Sequence, residues 1–505
     1  MLTRSRFLRL LAWSGFAAPC LASSPAFARE EGGVPGLAKQ ERGKGGEPVD
    51  IGGRLEPFVD DFLIGELKSA SLRLHEPVPS GTAFAFDRPW EGAFSGYVTV
   101  LRDGDRHVMY YRGLPTAGAD GSIAEVTCCA ESRDCVRWEK PDLGLFNVNG
   151  TRKNNIVLAG AAPFSHNFAP FLDTRRGVPA SERYKALAGT KVSGLVAFVS
   201  PDGFRWRKLR EKPVLTDGAF DSQNVAFWSE HERCYACYFR TWMDGGFSGY
   251  RTVSRATSGD FWAWSKPEAM DFGDTPPEHL YTNQTMPYFR APHIYLAFPM
   301  RFMPGRKVLT AEQAKTLGVN PDYAGDCADG VFMTSRGGNR YHRTFMEGFI
   351  RPGADLGNWA SRAGMIACGV LPTGHAELSL YKQANYAQPT AHLIRYTLRT
   401  DGFVSVNAPY SGGEMITRLL QFTGRELALN ISTSAAGSVR VEIRDAAGNP
   451  LPGHTLADSE EVVGDMIERP VAWKGGRNLS ALEGKPVRLR FVMKDADLYA
   501  MKFNQ

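Results

Sequence analysis

Long apolar runs are scarce in this chain. The stretch from Leu10 to Leu21 is the longest of its kind, it is too short to anchor a protein across a bilayer, and nothing later approaches the necessary length. Arg4, Arg6 and Arg9 flank this run, and Ala26-Phe27-Ala28 supplies a small-x-small cleavage site, so residues 1–28 read as a secretory signal peptide. The leader predicts a secreted or periplasmic protein with no membrane partner. Excess charge is also missing: the formal +5 includes the three leader arginines and falls to +2 without them. No basic stripe of the kind a nucleic-acid binder carries is present, which excludes that class of partner. Cysteine is sparse as well. Beyond Cys20 there are seven, an odd number and too thin for a disulfide-built scaffold, leaving room for one or two bridges. Cys234 and Cys237 lie three apart in an alternating strand pattern and so point to opposite faces, against a redox or zinc pair.

What the chain does have is a repeated turn. Ser132, Asp134 and Trp138 recur at the same spacing as Ser200, Asp202 and Trp206, as Ser258, Asp260 and Trp264, and in altered form as Ser335, Gly337 and Tyr341. A Ser-x-Asp turn bonds its own backbone, and the aromatic after it opens an outer strand. Strand-like runs precede each copy: Tyr97 to Leu101 and His107 to Arg112, Phe168 to Leu172 and Tyr184 to Ala188, Val225 to Trp228 and Tyr235 to Arg240, and Met286 to Phe289 and Ile294 to Phe298. A fifth unit has Met365 to Leu371 and Leu378 to Tyr381, with Thr400-Asp401-Gly402 as a decayed turn. Units of this period holding about four strands each are propeller blades. The expected architecture is all-β: a flexible spacer over 29–50, a five-bladed β-propeller over 51–410 and a C-terminal β-sandwich over 411–505, where alternating runs such as Ser438 to Ile443 and Val487 to Met493 appear.

A five-bladed propeller followed by a sandwich resembles the secreted glycoside hydrolases of families 32 and 43, with the four Ser-x-Asp turns as the matching residues. The resemblance implies a carbohydrate substrate and a site at the propeller mouth. The catalytic strings of those families, Asn-Asp-Pro, Arg-Asp-Pro and Glu-Cys, are absent, so no catalytic role transfers residue by residue. No cofactor is implied, a structural calcium in the channel is left open, and a monomer is expected.

Residues just before the first strand of a blade and at the end of its second converge at one end of the channel. That rule collects His166 and Asn167, Asp221 and Asn224, and Tyr281 and Asn283 on the entering side, with Arg112, Arg240 and Arg301 returning. Hydrolysis of a glycoside needs two carboxyl groups, one to protonate the leaving oxygen and one as base or nucleophile. Asp221 and Glu278 are the expected pair, with Asp61 or its neighbour Asp60 as a further source of a base. Each has a structural alternative: Asp221 as a turn cap, Glu278 as a solvated loop acid, the arginines as ties between blades, His166 as a core histidine. Two other functions remain open, a polysaccharide lyase using His166, Tyr281 and Arg240 or Arg301, and a carbohydrate-binding propeller without catalysis. An arginine-rich rim favours acidic sugars.

Overall fold

The computed structural model describes residues 47–505; the leader and most of the spacer lie outside the described residues. The blades form as the alternating patterns predict. Blade one comprises Gly96–Asp103, Arg106–Gly113, Val126–Ser132 and Ile156–Leu158; blade two Ala169–Leu172, Tyr184–Ala188, Val196–Ser200 and Arg207–Lys208; blade three Val225–Ser229, Cys234–Trp242, Arg251–Ser258 and Glu268–Ala269. Blade four pairs Met286–Tyr288, Ala291–Ala297 and Met333–Ser335, and Thr334 bridges His342 where an outer strand belongs. A hairpin, Met300–Met303 with Cys327–Gly330, extends blade four towards the mouth and carries the short helix Ala311–Thr316.

Blade five closes the ring with a borrowed strand. Its chain supplies Leu371–Pro372, Glu377–Ala384 and His392–Arg399, and the outermost strand is Val78–Ala85 from the N-terminal side, paired from Thr397↔Val78 to His392↔Ala85. Joining the two ends of the propeller in one sheet removes the exposed edges an open ring would leave.

The turns explain why the repeat is so regular. In each of the first three copies the serine Oγ accepts from the backbone N–H three residues on, at 2.9 Å (Cys135, Gly203, Phe261). The aspartate Oδ1 accepts from the N–H groups two and three residues on, Val136 and Arg137 for Asp134, at 2.9 and 2.8 Å. Those backbone donors hold the Asp134 carboxyl down to about 2. The following aromatic then reaches the preceding blade: Trp138 meets Tyr381, Trp206 meets Tyr110, and Tyr341 meets Tyr238, each tyrosine in a second strand. The Tyr110 hydroxyl donates to Gly203 O at 3.0 Å, and Tyr381 to Cys135 O in the same way. The repeat therefore stitches blade to blade.

The C-terminal strands expected over 411–505 pair with strands outside that range. Ile64–Lys68 and Ser71–Leu74 pair with Gly413–Thr417 and Val404–Ala408, Glu56–Pro57 pairs with Arg488–Asn504, and Val49–Gly52 pairs with Leu420–Phe422. Residues 56–74 thus contribute strands to the C-terminal eight-stranded sheet, Val49–Gly52 forms a separate two-stranded sheet with Leu420–Phe422, and the larger sheet begins at Val404 rather than after residue 410. Its long strands Glu426–Arg444 and Arg488–Asn504 pair along their length with a break between Thr433 and Ser438. Leu489, Phe491 and Met493 from one half of the last strand, and Leu498, Met501 and Phe503 from the other, enter a single buried cluster with Trp473. None of the seven described cysteines forms a disulfide.

Candidate active site

The mouth is where first strands begin and second strands end, and the chain holds it with amides. Gln223 donates to Thr99 Oγ1 at 2.7 Å, Gln284 to Gln223 Oε1 at 2.6 Å and to Ile366 O at 2.9 Å, and Gln383 to Ser95 O. These bonds tie blades three, four and five to blade one across the axis. The asparagines expected to bind substrate serve the same framework. Asn167 donates to the carbonyls of Gly189, Phe220 and Ser222, Asn224 to that of Phe220, and Asn283 to that of Tyr238. Among the described residues no group of three or more His, Cys, Asp and Glu side chains gathers as a metal site would.

Above this floor lies a ring of arginine and tyrosine. Arg112 donates to Phe94 O at 2.9 Å and to the Tyr386 hydroxyl at 3.1 Å, and its guanidinium lies 4.7 Å from the centre of the Tyr97 ring. His166 sits against it, Nδ1 being 3.2 Å from Arg112 Nη1 and 2.9 Å from Glu125 Oε1, while Nε2 has no partner. Arg240 clamps Asp221 through two nitrogens, at 2.9 and 2.5 Å, and lies 4.3 Å from the Tyr281 ring centre. Arg362 approaches Tyr281 and Tyr323, at 5.1 and 4.6 Å, and Arg251 approaches Tyr281 at 5.7 Å. Buried charges this dense are tolerated only when paired or awaiting a partner. The Nε groups of Arg112, Arg251 and Arg362 have none.

Backbone strain gathers here too. Tyr97, Phe220, Gln284 and Arg362 all have positive φ, at 52°, 50°, 49° and 64°. Such residues persist only where the surroundings over-determine them, a pattern frequent at functional sites. The phenols respond differently to their settings. Burial pushes the Tyr97 hydroxyl well above its ordinary value. Burial also opposes ionisation of Tyr281, but the positive charges of Arg362 and Arg240 outweigh it and hold that hydroxyl below the ordinary phenol range.

The expected carboxylate pair is not assembled. Glu278 Oε1 accepts from Arg301 at 2.9 Å and Oε2 from Arg343 at 3.1 Å, and Arg301 also grips Asp329 through two nitrogens. The reason is strand parity: Met300 and Phe302 pack beside Tyr281, so Arg301 between them faces the other way. Glu278 and Arg301 consequently line a neighbouring cavity of about 770 Å³ with Tyr250, His279 and Trp359, apart from Asp221. Asp60 is locked to Arg336, the residue after the third strand of blade four. Asp60 and Asp61 therefore belong with the Ser-x-Asp turns at the end opposite the mouth. There, burial and then the charge of Asp60 push the Asp61 carboxyl up.

Four groups of the site escaped the strand rule as applied: Glu125, Arg251, Arg362 and Tyr386. Third strands leave from the mouth, so extending the rule to their first residues finds Glu125 and Arg251, which stand before Val126–Ser132 and at the head of Arg251–Ser258. Arg362 and Tyr386 lie in loops, and no local pattern marks them. At the far end of the channel a cavity of about 450 Å³ is lined chiefly by apolar residues such as Phe171, Phe227 and Leu371. It offers a sugar few hydrogen-bond partners.

No family model matches the chain, and no curated protein sequence does. Solved structures similar to it include one described as a glycoside hydrolase, with a TM-score of 0.43 and 13% identity over 64% of this chain and 92% of that one. Another is an N-acetylgalactosamine deacetylase from F. plautii, at 0.42 and 12% over 66% and 97%. A fructofuranosidase from Schwanniomyces occidentalis matches at 0.37 and 9% over 86% and 100%. The likeness is one of fold. Any reaction must be argued from the side chains themselves.

Proposed function

We propose that this protein is an exported glycoside hydrolase acting on an anionic saccharide at the propeller mouth. The observation that carries the proposal is the convergence of Arg112, Arg240, Arg251 and Arg362 on a wall of tyrosines. Guanidinium forks suit a carboxylate, and aromatic rings suit the apolar face of a pyranose. Asp221 and Glu125 neutralise only part of that charge, so a sugar acid has positive partners waiting. Resemblance of the propeller to that of families 32 and 43 supports the choice of glycosidic bonds over other linkages, and the leader supports export.

A second reading has its own support. The lowered Tyr281 hydroxyl beside guanidiniums also suits β-elimination, in which arginine neutralises a uronate carboxylate while a base removes the neighbouring proton. One experiment separates these readings. The full chain is incubated with panels of neutral and acidic polysaccharides, following new reducing ends and the ultraviolet absorbance of unsaturated uronates together. Reducing ends without that absorbance, from acidic substrates only, are expected. Absorbance rising in step with the ends replaces hydrolysis by elimination, and cleavage of neutral glycans alone removes the role given to the arginines.

A further inference from the structure

Tyr281 is held more firmly than a wall residue needs. Its backbone N–H donates to Met300 O at 2.8 Å, and its carbonyl accepts from Ser222 Oγ at 2.7 Å and from Arg240 Nη1 at 3.3 Å. Phe302 backs the ring at 5.7 Å. Guanidiniums of Arg240, Arg362 and Arg251 approach that ring at 4.3, 5.1 and 5.7 Å, while the acids facing it are Asp221, already clamped by Arg240, and Asp120 on the exposed loop between the second and third strands of blade one. Arg112 and Tyr97 complete the ring of neighbours, and His279 and Tyr386 stand behind Arg251 and Arg112. A neutral phenol gains cation–π attraction from guanidiniums over its ring. A phenolate gains a great deal.

Resting on the glycosidase reading, we propose that Tyr281 is the catalytic nucleophile and that its phenolate oxygen attacks the anomeric carbon of an anionic sugar. Of the carboxyl groups at the mouth, Asp221 has both oxygens on Arg240, and Glu125, with Oε1 on His166 and Oε2 unpartnered, is enclosed behind Arg112. A carboxylate nucleophile would also be repelled by the carboxylate of the substrate. In the first step the Tyr281 oxygen forms a bond to the anomeric carbon as the glycosidic carbon–oxygen bond breaks, and the leaving oxygen takes a proton from water, leaving hydroxide. In the second, water attacks the same carbon, its proton neutralises that hydroxide, and Tyr281 departs as phenolate. Charge and atoms balance and the side chain is restored. Arg362 acts through Tyr281, as a positioning residue that sets its ionisation.

The first test needs no substrate. Ultraviolet titration of the folded full-length chain is expected to reveal a phenolate forming below the ordinary tyrosine range, absent from Tyr281→Phe and shifted to higher pH in Arg362→Gln, which keeps the phenol in place. With the acidic saccharide found by the panel, Tyr281→Phe is expected to lower kcat at least about a hundredfold. Acid quenching of turnover is expected to trap a glycosylated peptide containing Tyr281. No early phenolate, or one that persists in Tyr281→Phe, overturns the proposal, as does full activity of that variant. If the early phenolate is Tyr281 but no polysaccharide is cleaved, the glycosidase reading fails and the nucleophile with it, while the ionised tyrosine remains. An unsaturated product makes Tyr281 a base and overturns nucleophilic attack.

Discussion

Glu125 and His166 form the only carboxylate–imidazole contact of the described mouth residues, and their geometry decides which ring nitrogen is free. Nδ1 lies nearer Glu125 Oε1 than Arg112 Nη1, at 2.9 against 3.2 Å. A proton on Nδ1 satisfies the carboxylate and leaves Nε2 as an acceptor without a partner. His166 is buried, with Nδ1 bonded and Nε2 enclosed without a partner, which fits the hydrogen-bonded core histidine that the sequence also allowed. Glu278 is fully paired. With one oxygen on Arg301 and the other on the buried Arg343, it neutralises two guanidiniums and has no lone pair directed at the mouth. Glu278→Gln is therefore expected to destabilise the fold by about 3 kcal/mol, the scale for unpairing a buried charge, while kcat per folded molecule changes little. Denaturant melts beside activity normalised to folded protein check this; a large fall in kcat with unchanged stability would return Glu278 to the chemistry. Asp221→Asn should behave differently, because it frees Arg240 beside Tyr281. Its acidic limb of activity should move to lower pH, since a cation no longer balanced by Asp221 holds Tyr281 ionised further down the scale.

Single elements carry the joints of the molecule, and one joint is ionic. The short strand Glu56–Pro57 buries Glu56 between Arg54 at 2.6 Å, Arg336 at 3.1 Å and His293 at 3.1 Å, and Asp60 holds Arg336 from the other side. Burial raises the Glu56 carboxyl, but His293 and Arg336 together bring it down to about 2. Because the folded value lies below the ordinary one, the stability from Glu56 is complete above pH ~4.5 and drains away as pH falls towards about 2. Glu56→Gln should flatten the stability profile over that window, and thermal melts taken across it measure the slope. Arg336→Ala should be worse, by about 3–5 kcal/mol, since buried Asp60 loses its cation and Glu56 keeps only Arg54 and His293. None of this joint was legible beforehand, because Glu56, His293 and Arg336 meet only after the ring closes. The turns were legible for the opposite reason: Ser200, Asp202 and Trp206 act within a few residues of one another, so spacing alone announces them. The site was legible in the same measure. His166, Asp221, Arg112, Arg240 and Tyr281 follow from strand ends, whereas Arg362, at the end of an irregular loop with a left-handed backbone, follows from no periodicity.

At the scale of the whole molecule the chain is laced rather than divided. Its N-terminal strands serve the last sheet, the next strand closes the fifth blade, and only then do the blades run in order. That route accounts for the decayed fifth turn. After His392–Arg399 the chain has no outer strand of its own to start, because Val78–Ala85 already fills the place, so Asp401 is free to accept from the Tyr288 hydroxyl at 2.6 Å and from Arg290 at 3.0 Å as the backbone crosses into the last sheet. It also changes what a fragment can do. A C-terminal piece starting at residue 411 would lack Val49–Gly52, Glu56–Pro57, Ile64–Lys68, Ser71–Leu74 and Val404–Ala408, exposing several unpaired edges and leaving Phe58, Leu63 and Val406 missing from its core. Residues 411–505 expressed alone are therefore expected to aggregate or remain unfolded, although the alternating pattern there invites the idea of an independent domain. The described chain should instead melt in one cooperative transition, with ultraviolet circular dichroism and tryptophan fluorescence giving coincident curves, because strands at each end are hydrogen-bonded to the other. A folded 411–505 fragment, or two separated transitions in the intact protein, would show that pairing through residues 49–74 is dispensable and that the two halves hold together by surface contact alone.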